Sequence, residues 1–298
     1  MVEKLEDILT RFGNKIASAG DLDKAGQGAR PRLLPERHPN RDFFVADILD
    51  WALKDDRASM EHPFFSLAKT PDLKERHYER NGNRITITPS IKGLATIWDK
   101  DILIYAISQL IEALNQGRPI SRTVRLTAYD FLVVTNRSTG GRAYDLLAAA
   151  FDRLKGTVIK TDIHTNGLRQ REGFNLIDRW KIIERNPANS RMVAIELTLS
   201  EWLYNAVIGR EVLTLNRKYF QLDGGLERRL YELSRKHCGN QTCWVIGMEL
   251  LHKKSGSSGS VREFRRQVKG IAKADLLPDY HLRYEPDNDA VSFHTKDP

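Results

Sequence analysis

The chain has 298 residues, 41% of them hydrophobic, which is enough to build two ordinary domains with cores of their own. Its only cysteines are Cys238 and Cys243, so a disulfide framework is excluded and a reducing compartment is expected. The N-terminal residues lack the apolar stretch of a secretory signal, and no apolar run approaches the ~20 residues that span a bilayer. We therefore expect a cytoplasmic protein without a membrane partner.

The net charge of +8 is concentrated in one part of the chain. Residues 1–209 hold 31 basic and 27 acidic side chains, residues 210–275 hold 14 and 7, and residues 276–298 hold 2 and 5. The middle range therefore carries nearly all of the positive excess. A local excess of this kind favours contact with a polyanion through that range, although charge alone does not say which one.

The first 61 residues predict a mobile N-terminal segment with short helices. Residues 18–42 combine glycine, proline and charge without any period, which is typical of a linker. The folded part is expected to begin near His62.

Helices and β-rich runs follow up to residue 209. Apolar residues at helical spacing predict the helices, and alternating residues predict the strands. Thr127, three residues before Asp130, predicts a helix cap. An Asn166-Gly167 pair between two β-rich runs predicts a hairpin whose tip carries Arg169 and Arg171. The predicted elements are a strand (83–90), three helices (99–119, 126–136 and 142–156), the two hairpin arms (157–164 and 173–185) and a further strand (191–198).

A similar order of elements repeats from residue 210. The pattern predicts a strand (211–216), a helix interrupted at Gly224-Gly225 (217–238), a helix with Trp244 facing inward (244–254), a Ser/Gly turn, a helix (260–275) and two strands about a Pro-Asp-Asn-Asp turn (280–295). Helix, turn, helix and hairpin is the order of a winged helix-turn-helix. The sequence therefore predicts an α+β fold of two tandem winged helix-turn-helix domains, at 62–209 and 210–298, each made of helices and a β-hairpin wing.

The helix at 260–275 separates an apolar face from a cationic one. Placed at roughly 100° per residue, its apolar residues cluster on one face and its basic residues on another. Ser260 lies three residues before Glu263, so the pair predicts a capping box at the start of the helix. The apolar set is Val261, Phe264, Val268 and Ile271, and the basic set is Arg262, Arg265, Arg266, Lys269 and Lys273.

Two interpretations of this helix compete. A basic amphipathic helix is often only a solvated surface helix. Here, however, the exposed arc of the helix carries five cations and only one acid. A helix and a short turn come before it, and a hairpin follows it. Together these features favour DNA reading. In that case two or three of Arg262, Arg265, Arg266 and Lys269 read base edges, and the other cations neutralise phosphates. Ser257, Ser258 and Ser260, with the backbone N–H groups at the helix start, lie near phosphate oxygens.

The upstream helix at 142–154 differs from this one. Its surface charges nearly cancel, so packing or dimerisation suits it better than base reading. Its neighbourhood still offers four candidates for contact with the DNA backbone, namely Arg137, Arg142, Arg169 and Arg171.

Three long stretches resemble the plasmid replication initiator protein A family, among the Rep initiators that bind repeated origin sites. They are "RHPNRDFFVADILDWALKDDRASMEHPFFSL" (37–67), "RITITPSIKGLATIWDKDILIYAISQL" (84–110) and "GRAYDLLAAAFDRLKGTVIKT" (141–161). The resemblance covers about residues 30–295. It implies two winged-helix domains, the first for dimerisation and backbone contacts and the second for reading origin repeats. It also implies duplex opening, host initiator and helicase or helicase-loading partners, and dimers that repress the initiator's own gene while monomers start replication.

The sequence gives little support to a catalytic or metal-dependent function. A P-loop would need a lysine that "GSSGSVR" does not have, and the eight histidines are scattered rather than paired as in a nickase. His237, Cys238, Cys243 and His252 could form a zinc site, but two cysteines around a turn are more often packing residues. We therefore expect no enzyme, no catalytic residue, no metal and no cofactor.

The sequence thus predicts a plasmid replication initiator that binds repeated double-stranded origin DNA and is associated with the plasmid or nucleoid. A winged-helix repressor without initiator activity remains open, because it needs the same DNA reading and dimerisation. An origin nuclease and a purely structural interaction protein are the alternatives from other classes.

Overall fold

A computed structural model describes residues 33–34, 37, 52–80, 83–165, 168–184, 192–239 and 241–296. All of them belong to one compact unit that spans residues 33–298. The helix expected near the N-terminus and the linker at 18–42 lie, except for Leu33, Leu34 and Arg37, outside the described residues. No described helix is both long enough and apolar enough to cross a bilayer.

The first part of the fold mixes strands and helices from residue 53 to residue 208. In chain order its elements are β1 (Leu53–Asp56), α1 (Arg57–Glu61), β2 (Arg76–Arg80), β3 (Asn83–Thr88), α2 (Lys100–Asn115), β4 (Thr123–Leu126), α3 (Ala128–Val134), α4 (Gly141–Gly156), β5 (Val158–Thr165), β6 (Leu168–Asn175), β7 (Ile177–Glu184), β8 (Met192–Leu199) and α5 (Glu201–Ile208).

The second part runs from residue 212 to residue 295. Its elements are β9 (Val212–Leu215), a 3-10 turn (Arg217–Gln221), α6 (Gly225–Cys238), β10 (Cys243–Gly247), α7 (Met248–Ser255), α8 (Val261–Ala274), β11 (Tyr280–Glu285), a second 3-10 turn (Pro286–Asn288) and β12 (Ala290–Thr295). The α+β class predicted from sequence is therefore confirmed.

The named strands form four sheets, and all of their pairings are antiparallel. In the first part of the fold, the strand orders are β2-β3-β5-β6 and β4-β8-β7. In the second part, β12 lies between β10 and β11, and the last sheet pairs β1 with β9.

Two clusters of buried apolar residues lie under these sheets. The first contains the inward faces of α2, α3 and α4, with Phe131 and Phe151 fully buried. The second lies under α6, α7, α8 and the β10-β12-β11 sheet, with Tyr231, Phe264 and Phe293 almost completely buried. Burial of each such side chain contributes about 1.5–3 kcal/mol, so each cluster is a core in its own right.

Most of the predicted helices are confirmed, including their local stop and start signals. Gly117, which follows α2, has a left-handed φ of +67°. Thr127 caps α3 by accepting a hydrogen bond from the Asp130 backbone N–H. The break at Gly224 falls where α6 begins.

Three predicted boundaries are wrong. The hairpin partner of β5 is β6, whereas residues 177–184 form β7 in a different sheet, so Arg171 lies within a strand opposite Asp162 rather than at the tip. Residues 244–247 belong to strand β10, not to a helix, because Trp244 pairs with Phe293 across the sheet.

The third wrong boundary is the start of the folded part, which precedes His62. Leu53 pairs with Leu215, and Met60 is fully buried in the second cluster. This pairing joins residues far apart in the chain, so the local pattern gave no sign of it.

Candidate nucleic-acid interface

Helix α8 begins as the sequence predicts. The Ser260 hydroxyl accepts a hydrogen bond from the Glu263 backbone N–H at 3.3 Å, and the preceding helix α7 ends at Gly256 with a left-handed φ of +71°. The reciprocal half of the capping box is missing, because the Glu263 carboxylate accepts hydrogen bonds from Arg266 and Gln267 instead.

The apolar face of α8 packs inward as predicted. Phe264, Val268 and Ile271 are buried in the second cluster, and Val261 is partly buried at its edge. The His252 ring of α7 meets the Phe264 ring edge-on, with centroids 5.0 Å apart. This packing fixes which side of α8 remains at the surface.

The cationic face of α8 points to solvent. The four exposed basic residues on it are Arg262, Arg266, Lys269 and Lys273, while Arg265 is partly buried. Across the part of the chain that the structure describes, neither Arg262 nor Lys273 has an acidic partner within ion-pair distance. The Lys269 ammonium lies 4.1 Å from the centre of the Tyr284 ring.

Two arginines on this face are held by carboxylates. Arg265 donates from Nε and Nη2 to the two oxygens of Asp289, at 2.8 and 2.7 Å. Arg266 donates to Glu263, one turn earlier on the same helix, at 2.9 and 2.6 Å. These bonds lower the pKa of Asp289 below its ordinary value and that of Glu263 to about 2, so both acids are ionised at neutral pH.

The serines before α8 have different surroundings. Ser258 and Ser260 are exposed, and Ser257 is partly exposed, with its backbone N–H bonded to the Ser255 hydroxyl. Because the Ser260 hydroxyl already caps the helix, Ser257 and Ser258 are the freer of the three to meet a phosphate.

The upstream arginines lie on elements other than α8. Arg137 is a structural residue, because its guanidinium donates to the buried Asp101 carboxylate at 2.8 Å and stacks over Phe131. Arg142 is exposed on α4, and Arg171 is exposed, 3.4 Å from Asp162. The side chain of Arg169 lies outside the described residues.

The structure adds contacts that sequence patterns did not reveal. Arg76, from β2, donates to the Gly256 carbonyl at 3.2 Å, and Arg229, from α6, donates to the Lys254 carbonyl at 2.8 Å. These bonds attach the turn before α8 to the rest of the fold. This turn and residues of the segment 68–78, Arg76 among them, together line a cleft of about 720 Å³. Nothing in the local pattern of Arg76 distinguishes it from an ordinary strand arginine.

The side chains considered for zinc are engaged elsewhere. His237 stacks on Trp244 and lies 3.3 Å from a Glu61 carboxylate oxygen, while the Cys243 sulfur lies 3.8 Å from His294 Nε2. Within the described ranges, no group of three His, Cys, Asp or Glu side chains could hold a metal ion.

Comparisons with known proteins agree with this description of the fold. The profile of the family described as "Replication initiator protein A" matches residues 54–282. A protein of Wigglesworthia glossinidia brevipalpis whose name describes it as a replication protein is 39% identical over 256 residues, which cover 85% of this chain and 93% of the relative.

Solved structures of domains 2 and 3 of RctB have a similar fold. One, of selenomethionine derivatives, aligns with a TM-score of 0.60 at 14% identity and covers 81% of this chain and 99% of that one. Another aligns with a TM-score of 0.56 at 14% identity and covers 78% and 95%. At this identity the likeness concerns the fold alone.

These findings place the chain in the class of replication initiator proteins. The family match extends over most of the chain, and the relative is similar along nearly its full length. The chain belongs to the replication initiator protein A family.

Proposed function

We propose that this initiator binds repeated double-stranded DNA sites at a plasmid origin, with α8 in the major groove. The observation that carries the proposal is the cationic face of α8, which turns outward while Phe264 and Val268 anchor the opposite face. A helix held in this way can enter a groove without disturbing its own core.

Two tandem winged helix-turn-helix domains, roughly 62–209 and 210–298, are the architecture we propose. In the first, α3 and α4 are followed by the β5–β6 hairpin, and in the second, α7 and α8 are followed by β11 and β12. Residues 53–61, which precede the first domain, then complete the core of the second.

The two kinds of contact have separate roles in this proposal. Arg262, Lys269 and Lys273, with Ser257 and Ser258, neutralise or bond phosphates and supply most of the affinity. Specificity comes from arginine side chains that donate two hydrogen bonds to a guanine edge. No chemical step on the DNA is part of the proposal, so the protein acts by binding.

Initiation follows from this binding. We propose that the protein, like the initiators it resembles, then opens the adjacent duplex and recruits a host initiator and the replicative helicase or its loader. Self-association into dimers that repress the protein's own gene completes the proposal, with monomers active at the origin. Its place of action is then the plasmid in the cytoplasm.

The binding part is tested with the duplex that the wild-type protein enriches from a random-sequence pool. Arg265→Ala should weaken binding to this duplex by about 1–3 kcal/mol and binding to random DNA much less. Arg84→Ala removes an exposed arginine of β3 that also faces a carboxylate, that of Glu79, and serves as the matched control. Equal losses on both DNAs would assign Arg265 to phosphates, and no enrichment at all would reject DNA reading.

The initiation part is tested by complementation. A plasmid that carries the bound repeats but lacks this gene should replicate only when the gene is supplied. If the protein instead represses a promoter at the repeats without supporting replication, it is a winged-helix repressor.

A further inference from the structure

Asp289 lies where three elements of the second part of the fold meet. Its carboxylate accepts the two hydrogen bonds from Arg265 of α8 and a third, at 3.0 Å, from the Tyr284 hydroxyl of β11. Its backbone carbonyl accepts from the Met248 N–H, the first residue of α7, at 2.8 Å. One residue thus connects both helices of the helix-turn-helix to the hairpin.

The backbone of Asp289 is itself fixed. Its φ of +43° is left-handed, a conformation that aspartate and asparagine tolerate better than other side chains. The bond from Met248 sets the position of this turn against the start of α7. The carboxylate therefore leaves the turn in a defined direction, toward α8.

The pairing determines which edge of the Arg265 guanidinium remains available. A guanidinium has five N–H groups, and Asp289 takes one on Nε and one on Nη2. One N–H of Nη1 and the second N–H of Nη2 then lie side by side at the tip of the side chain, while the other N–H of Nη1 points back along it. Two parallel donors of this kind match the O6 and N7 acceptors of guanine in the major groove.

We propose that Asp289 is a positioning residue for specificity, which holds Arg265 end-on toward a guanine in the recognised repeat. The inference rests on the proposed binding of DNA by α8 and deepens it by assigning one base contact. Arg265 is paired with a carboxylate of a second element, whereas the partner of Arg266 is on its own helix.

The sign of the charge supports a role in selectivity rather than in affinity. A carboxylate next to DNA repels the phosphates, so Asp289 lowers affinity for duplex of any sequence. Asp289 must then contribute by orienting Arg265, and this orientation affects affinity only where Arg265 contacts a base.

The test compares Asp289→Asn with wild type on two duplexes, the one enriched by the wild-type protein and a random one. Asparagine keeps the left-handed turn and the backbone bond to Met248, but it loses the charge and one acceptor for Arg265. We expect affinity for the enriched duplex to fall and affinity for random DNA to stay equal or rise, so that the ratio of the two drops by about 5- to 100-fold.

Glu263→Gln is the matched control, because it removes an equivalent acid that pairs with Arg266 within α8. It should raise affinity for both duplexes and change their ratio much less than Asp289→Asn does, because Glu263 lies on the same helix as Arg266. Tyr284→Phe, which removes the third bond to Asp289 but keeps the ring under Lys269, should reduce the ratio in the same direction by a smaller factor.

The outcomes separate this inference from the proposed function. If wild type enriches no sequence, DNA reading by α8 fails. If wild type is selective and Asp289→Asn keeps the full ratio, Asp289 does not position Arg265. If Asp289→Asn binds the enriched duplex more tightly with an unchanged ratio, the carboxylate only masks the arginine, and the inference is overturned.

Discussion

Gly256 is the residue on which the turn before α8 depends most directly. Its φ is +71°, and a Cβ built on it would lie 2.5 Å from the Pro63 Cβ. Gly256→Ala should therefore destabilise the protein by at least about 1 kcal/mol from the left-handed backbone alone, and the close approach to Pro63 adds to this cost. Denaturant unfolding of the variant measures this loss.

Gly270→Ala is the control for this substitution. Gly270 is an exposed glycine within α8, and a Cβ there would meet nothing within 4 Å. Because alanine favours a helix over glycine, this variant should gain up to about 1 kcal/mol. If Gly256→Ala is no less stable than wild type, backbone conformation and contact at Gly256 do not control the turn.

His62 makes stability depend on pH. Burial against the fold lowers its pKa from the ordinary 6.5 to about 4, despite the neighbouring Glu61 carboxylate, and Lys236, Arg229 and Lys254 add to the lowering. The unfolded chain therefore binds a proton before the folded one as the pH falls. The contribution of neutral His62 to the unfolding free energy is complete above pH 6.5 and is lost as the pH falls toward 4.

His62→Phe should remove this part of the acid sensitivity and keep a ring beside Phe64. Unfolding free energies measured between pH 6.5 and pH 4 should fall less steeply for the variant than for wild type. The acid-sensitive carboxylate of Glu61, whose pKa is lowered by His237 and Lys254, is present in both proteins and cancels in the comparison. Parallel curves would contradict the assignment to His62.

The residues of α8 also mark what sequence could predict about the site. The N-cap, the buried face and the exposed cations of α8 all depend on residue spacing within one helix, so the sequence could predict them. The structure confirms them. The partner of Arg265 was not, because Asp289 lies 24 positions later in a turn whose acids give no sign of direction. The ion pair of Arg137 was not predictable either, because its partner Asp101 lies 36 positions earlier, on α2.

At the level of elements, the charge on α8 predicts a steep salt dependence of DNA binding. Replacing Arg262, Lys269 and Lys273 together by glutamine should reduce the slope of log affinity against log salt by about 0.9 for each phosphate that the variant no longer neutralises. A mobility-shift titration over salt concentration measures the slope.

Arg142→Gln on α4 is the control for this prediction of the salt slope. Arg142 is as exposed as the α8 cations, but its helix also exposes Asp145, so its surface charge is mixed. Because Arg142 is one cation and a candidate for a single backbone contact, we expect its loss to change the slope by at most about 0.9, less than the triple variant does. A flat titration of wild type, or an equal change from Arg142→Gln, would remove the special role of α8.

Two strands were misassigned from the sequence, for different physical reasons. The run that contains β10 reads as a helix because Trp244, Met248 and Leu251 fit a helical face, yet Trp244 and Ile246 are held by cross-strand pairs with Phe293 and Val291. Strand β6 is an edge strand whose sequence is mostly polar, so the apolar alternation that predicts a strand is weak there. For β10, by contrast, a pairing partner distant in the chain decided the structure.

At the level of the whole molecule, buried ion pairs join the two cores. Lys100 on α2 is fully buried, with its ammonium 2.6 Å from Asp55 on β1 and 3.0 Å from Glu232 on α6. Asp101, the next residue, pairs at 2.7 Å with the buried Arg228 of α6. Such pairs specify one arrangement, because any shift would leave a charge buried without its partner.

Lys100→Met is the substitution that tests this arrangement. It leaves Asp55 and Glu232 buried without the ammonium, so we expect a loss of about 3–5 kcal/mol in unfolding free energy. Lys92→Met, which removes the exposed partner of Asp152, should cost at most about 1 kcal/mol. Denaturant unfolding of the two variants gives the comparison.

A double variant and hydrogen exchange distinguish the loss of these buried ion pairs from a general loosening of the packing. Adding Asp55→Leu to Lys100→Met removes the unpaired carboxylate and should restore much of the stability. In the single variant, amide protection of α2 and α6 should fall together, since Lys100 and Glu232 connect them. If α2 alone loses protection, or Lys100→Met costs no more than Lys92→Met, the two cores are held together by their apolar contacts and not by these charges.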